Sequence, residues 1–204
     1  MRKVLPVVII LIVAFGVYYF FAKNKDGEAI VAAKEGPLKA TKHSLEFNSS
    51  VDTMMSAYFS LHDAFVEADT IRVKQTCNTL AGATEKVNID ELKKDTSGIY
   101  PSALEQLNQV KESIKSICVQ KDLATMRKDF QWLSESLYPL LKTIHYEGKK
   151  LYWQNCPMAF GDNQEASWIS NTEEIANPYL GKKHPEFKAT MLHCGEVKDS
   201  IMAQ

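Results

Sequence analysis

The sequence predicts an all-α fold: an up-down four-helix bundle with a loop-rich aromatic C-terminal cap, preceded by an N-terminal transmembrane anchor. Three observations predict it. Four segments between residues 49 and 146 carry apolar side chains at helical spacing and are joined by short polar connections. After residue 150 that spacing stops, and short aromatic runs broken by Pro and Gly replace it. At the N-terminus an uncharged stretch, "VLPVVIILIVAFGVYYFF", follows the basic "MRK".

The N-terminal run from Val4 to Phe21 is long enough to span a bilayer and longer than an ordinary signal-peptide core. No A-x-A cleavage site follows it, and no lipoprotein cysteine. Tyr18, Tyr19, Phe20 and Phe21 read as an interfacial aromatic belt. Arg2 and Lys3 favour a cytoplasmic N-terminus, against the opposing pull of Lys23 and Lys25. An uncleaved signal anchor is the expectation, with a cleaved signal as the alternative. Both place residues 30–204 outside the cytoplasm. The expected organisation is an anchor over residues 1–22, a flexible tether over residues 23–48 containing Gly27, Gly36 and Pro37, and a helical domain over residues 49–204 whose cap starts near residue 149.

The first helix is expected from Ser49 or Ser50, with Met54, Tyr58, Leu61 and Phe65 on one stripe and Met55, Phe59, His62 and Val66 on the next. Asp69 caps a second helix with Ile71, Val73, Cys77 and Leu80 inward. Gly98 and Pro101 punctuate the chain before a third, carrying Leu104, Leu107, Val110, Ile114 and Ile117. Asp122 opens the fourth, with Met126, Phe130, Leu133, Leu137, Leu140 and Leu141. Pro139 predicts a kink or an early break there. In the cap, "SNTEE" is expected to start a single helical turn that "NPY" ends.

The function classes narrow quickly. The 24 basic and 25 acidic residues nearly cancel, which gives no electrostatic case for nucleic acid as a partner. No nucleophile elbow, metalloprotease helix, phosphate loop or dinucleotide fingerprint occurs, so the chain does not read as an enzyme. The informative residues are sulfurs. Cys156 and Met158 flank Pro157, and Met191, His193 and Cys194 follow in "MLHCG". Polarisable thiolate and thioether sulfurs favour Cu(I) or Ag(I), and two or three of them suffice for a linear or trigonal site. His193 and His62 are optional further ligands. The competing chemistry is a Cys156–Cys194 disulfide, which would stabilise the fold by about 4 kcal/mol in the chain-entropy view, with both Met residues as packing. Cys77 and Cys118 are expected as separate buried thiols, because in antiparallel helices their levels would differ by roughly seven residues, or about 10 Å along the axis. Tyr152, Trp153, Phe160 and Trp168 read as packing.

Taken together, "YFSLHDAFVEAD" (Tyr58–Asp69), "CPMA" (Cys156–Ala159), "WIS" (Trp168–Ser170), "NPYLG" (Asn177–Gly181) and "MLHCGEV" (Met191–Val197) resemble the family catalogued as domain of unknown function 3347. The resemblance covers roughly residues 50–202. It departs in "GKKHPEFKATM", which sets Met191 apart from the NPYLG turn and introduces His184. The resemblance implies a bacterial protein anchored in the inner membrane and facing the periplasm, or secreted into it. It also implies an association with heavy-metal efflux. The expected function is therefore capture of Cu(I) or Ag(I), without turnover, the ion being held or passed to an efflux or copper-delivery partner of the envelope. The alternative is a disulfide-stapled interaction module that binds no metal.

Overall fold

Ser44 starts the first helix: its Oγ accepts the Phe47 N–H at 3.1 Å, while Glu91 accepts its own N–H at 2.8 Å. The computed structural model describes residues 43–202, all within one compact unit, Thr41–Gln204. Four α-helices occur among them: α1 (Leu45–Val66), α2 (Thr70–Thr84), α3 (Tyr100–Val119) and α4 (Leu123–Thr143). A short 3-10 helix, Ile89–Lys94, lies between α2 and α3. The first helix therefore begins before Ser49, and residues 43–48 belong to the fold rather than to a tether. Asp69 and Asp122 cap α2 and α4 as the sequence predicts, accepting the N–H groups of Arg72 and Thr125. Pro101 sits in the first turn of α3, where its missing N–H costs nothing. Pro139 does not break α4, which continues to Thr143.

The all-α expectation fails after residue 150. Strands β1 (Leu151–Cys156), β2 (Ala166–Ser170) and β3 (Glu196–Ile201) form an antiparallel sheet in the order β2-β1-β3. The reason is visible in their burial. β2 is buried along its whole length and β3 is mostly exposed, so neither shows the alternation that marks a half-buried strand. An irregularity between Trp153 and Gln154 disturbs the β1–β3 register as well. "SNTEE" forms bends, not a helical turn. There the buried Gln154 donates to the carbonyls of Thr172, Glu173 and Glu174, which replaces helical hydrogen bonding. Among the described residues no helix is long and apolar enough to cross a membrane. The predicted anchor at Val4–Phe21 lies outside the described residues, and none of α1 to α4 takes that role.

The core joins helices to sheet. Tyr58 stacks on Phe130 at 5.3 Å, Phe65 packs on Phe130 at 4.8 Å, and Tyr179 approaches Phe130 at 6.1 Å. The Tyr58 hydroxyl bonds the Ser134 Oγ at 2.7 Å and accepts the Ile169 N–H at 3.1 Å, tying α1, α4 and β2 together. Most of the predicted inner positions are buried, but Phe59 and Leu104 are only partly so, and Ile71 is 73% exposed and not core.

Cys77 and Cys118 form a disulfide with Cα atoms 5.8 Å apart, contrary to the expectation of separate thiols. The helices are not end-matched. Cys77 lies midway along α2 and Cys118 in the last turn of α3, so the Tyr100 end of α3 extends past the Thr84 end of α2. The 3-10 helix fills that offset and packs against α3.

Candidate functional site

The two remaining cysteines meet where the sheet ends. Cys156 is the last residue of β1, opposite Ala166 of β2. Cys194 precedes β3, and Gly195 makes the turn between them possible. Gly195 has φ of +144°, and a Cβ there would lie 2.8 Å from the Asn155 carbonyl and 3.0 Å from the Trp168 ring. Asn177 fixes the loop from the other side. Its buried carboxamide oxygen accepts the N–H groups of Tyr179 and Leu180 at 2.9 and 3.0 Å, while its Nδ2 donates to the Cys194 carbonyl at 2.8 Å. Asn177 N–H also donates to the Leu192 carbonyl. The NPYLG segment is thus a clamp on the Cys194 loop.

The clamp brings the Cys156 and Cys194 sulfurs to 2.7 Å. The two sulfurs are not joined in this structure; Cys156 is buried and Cys194 half-buried. Burial first, and then contact with Cys156, pushes the Cys194 thiol up to about 12. Metal–thiolate bonds of about 2.3 Å would hold two sulfurs about 3.8 Å apart at a tetrahedral metal, and farther apart at a linear one. The pair as arranged is therefore too close to bridge an ion, and a metal would have to displace the thiol protons as well as part the sulfurs. Among the described residues no group of three or more His, Cys, Asp or Glu side chains is placed to hold a metal ion. This donor set does not fit Cu(I) or Ag(I) without movement of the Cys194 loop.

The other predicted ligands are engaged elsewhere. Met158 lines a cavity that includes neither cysteine. Met191 is partly buried against the core, and its carbonyl accepts the Cys194 N–H at 3.0 Å. His62 Nε2 bonds the Ala176 carbonyl at 2.8 Å, and its Nδ1 faces Asp63 at 3.2 Å. That contact is the chief cause holding the Asp63 carboxyl below its ordinary value. His193 Nδ1 donates to the Ile175 carbonyl at 2.7 Å. The two histidines thus brace the 175–176 segment from distant parts of the chain. Of the four aromatics, Trp153 stacks on Tyr138 at 4.5 Å, and Phe160 and Trp168 meet Tyr179 edge-on, while Tyr152 is half-buried under the Lys150 ammonium.

Sequence reasoning missed Arg127. It is 8% exposed and lies on the inner face of α4, three residues before Phe130. Its Nε donates to the Pro178 carbonyl at 3.0 Å and its Nη2 to the Phe65 carbonyl at 3.2 Å, at the C-terminal end of α1. Gly181, at φ of +60°, permits this approach, since a Cβ would lie 2.7 Å from the Val66 carbonyl and 3.0 Å from Arg127. The available signal was a charge four residues after Leu123 and three before Phe130, inside an apolar stripe.

Residues 54–149 match the family model described as "Protein of unknown function (DUF3347)", so the chain resembles that family over its helices. The Tyr58–Asp69 motif lies inside the matched segment, and the CPMA, WIS, NPYLG and MLHCGEV motifs lie beyond it. No curated protein and no solved structure matches the chain.

Proposed function

We propose that residues 43–202 form a disulfide-stapled binding module of an oxidising, extracytoplasmic compartment. The helices act as a rigid stem, and the sheet with its loops acts as the recognition cap. The observation that carries the reading is the 2.7 Å approach of Cys156 and Cys194, which leaves the sulfurs nearly at bonding distance. The Cys77–Cys118 disulfide supports it, because stable disulfides belong to oxidising compartments. Closing the Cys156–Cys194 loop fixes the segment that carries NPYLG and its neighbours. Loops fixed on a rigid scaffold are where binding residues concentrate.

The test is thiol trapping at the moment of lysis, followed by non-reducing peptide mapping. Linked 156–194 and 77–118 peptides are expected. Recovery of Cys156 and Cys194 as trapped thiols beside an intact Cys77–Cys118 bond refutes the staple. In that case Cu(I) competition against a coloured chelator on the reduced protein decides the metal-carrier alternative. Tight stoichiometric binding that the Cys156→Ser substitution abolishes would establish it.

A further inference from the structure

Arg127 is a buried cation without a counter-ion. No carboxylate lies within ion-pairing distance of it among the described residues, and burial alone lowers its pKa to about 10. Two carbonyls use its Nε–H and one Nη2–H, which leaves three of the five guanidinium N–H groups unused. Removing a charge from water without pairing it is costly, so a vacant guanidinium edge is a place where an anion gains more than it does on the surface.

Arg127 lines a cavity of about 560 Å³ between the first turns of α4 and the cap. The cavity has two kinds of wall. Lys128 and His184 add cationic and hydrogen-bonding groups beside Arg127, while Met158, Phe160 and Phe187 supply apolar surface. Asp162 and Glu186 also line it, and neither pairs with Arg127. His184 and Phe187 stack at 4.9 Å, so the insertion "GKKHPEFKATM" builds one wall. A volume of this size and mixed apolar–polar lining suit a small organic ligand.

We infer that this cavity binds a small organic carboxylate with an apolar body, its carboxylate on the free edge of Arg127 and its body against Met158, Phe160 and Phe187. A planar guanidinium fork matches a carboxylate in two-point contact, which an ammonium cannot reproduce. The inference extends the binding-module reading by naming a ligand class for the same cap. It stands apart from the staple experimentally: peptide mapping reads the sulfurs, and the titration reads the cavity.

The experiment is a titration of the full 204-residue chain, in a zwitterionic detergent and labelled on its methionine methyls, with benzoate. Benzylammonium serves as a cation with the same phenyl body, and inorganic phosphate as the anion without an apolar body. Saturable movement of the Met158 methyl signal by benzoate is expected, with a dissociation constant of roughly 1 mM or below. Benzylammonium is expected to leave the signal in place, and phosphate to bind at least tenfold more weakly than benzoate. Arg127→Lys is expected to weaken benzoate at least tenfold. Lys128→Glu, on the exposed rim and therefore harmless to the fold, is expected to weaken it about fivefold. Absence of saturable movement, equal responses to benzoate and benzylammonium, phosphate binding as tight as benzoate, or wild-type affinity in Lys128→Glu would each overturn the inference.

Discussion

Replacing Asn177 with Ala removes the side-chain part of the clamp on the Cys194 loop and leaves its backbone bond to the Leu192 carbonyl. The side chain is wholly buried and makes three hydrogen bonds to backbone groups: the N–H groups of Tyr179 and Leu180, and the carbonyl of Cys194. Leaving a buried backbone group unpaired costs roughly 1–3 kcal/mol. Counting the three bonds at the lower end gives a loss of about 3 kcal/mol. With a urea dependence of about 2 kcal/mol per molar, the unfolding midpoint falls by about 1.5 M. The buried Trp168 reports the transition by fluorescence. A second readout isolates the clamp from the general loss. Of the three side-chain bonds only that of Nδ2, about 1 kcal/mol, acts on Cys194 itself, so the dithiol–disulfide equilibrium of that pair should shift about fivefold toward the dithiol. A midpoint within about 0.25 M of wild type would refute the reasoning on burial. A full loss of stability with an unchanged redox equilibrium would refute the reasoning on the clamp.

Three further predictions rest on single groups. Tyr58→Phe strands the Ile169 N–H, while Ser134 keeps its bond to the Phe130 carbonyl, so a loss of about 2 kcal/mol is expected in urea unfolding, with faster exchange of the Ile169 amide. In reduced protein, the Cys194 thiol pushed up to about 12 should alkylate with a rate that climbs steadily from about pH 7 to about pH 10. The sign follows from burial, which favours the neutral thiol and delays the reactive thiolate, so a plateau near about pH 9 would contradict it. The Cys77–Cys118 bond closes a loop of 41 residues, and Cys77→Ala with Cys118→Ala should cost about 4 kcal/mol in equilibrium unfolding.

The helices were legible because their signals are local. Asp69 and Asp122 name their own helix starts, and Met54, Tyr58, Leu61 and Phe65 repeat on one face whatever covers them. The sheet was not legible because its signals depend on neighbours. "ASWIS" is a strand buried on both faces, and "EVKDSI" is an edge strand whose polar surface looks like a tail. The same division runs through the site. Cys156 and Cys194 could be paired from chemistry alone, but their approach depends on Asn177 and Gly195, which act through backbone atoms. The Cys77–Cys118 bond escapes the same reasoning because helix lengths can be read from periodicity and helix offsets cannot. Arg127 was missed because two of its partners are carbonyls, which every residue has.

The matched family segment ends at residue 149, just before β1, yet the helices within it are not a closed structure. Tyr58, Phe65 and Phe130 are fully buried, and Ile169, Tyr179 and their neighbours in the cap supply part of that cover. Arg127 sits inside the segment, but one of its two carbonyl partners, Pro178, sits beyond it. Ending the chain at residue 149 would bare three aromatic side chains, each worth about 2 kcal/mol or more when buried, against a whole-domain stability of only about 5–15 kcal/mol. Such a chain should retain far-ultraviolet helical signal, lose its near-ultraviolet signal, bind a hydrophobic dye and unfold without a sharp transition. Cooperative unfolding at the wild-type midpoint would show instead that the helical segment is autonomous, and that the cap is an appendage to it. Under the first outcome, recognition by this protein has to be sought in stem and cap together, where Arg127 meets NPYLG.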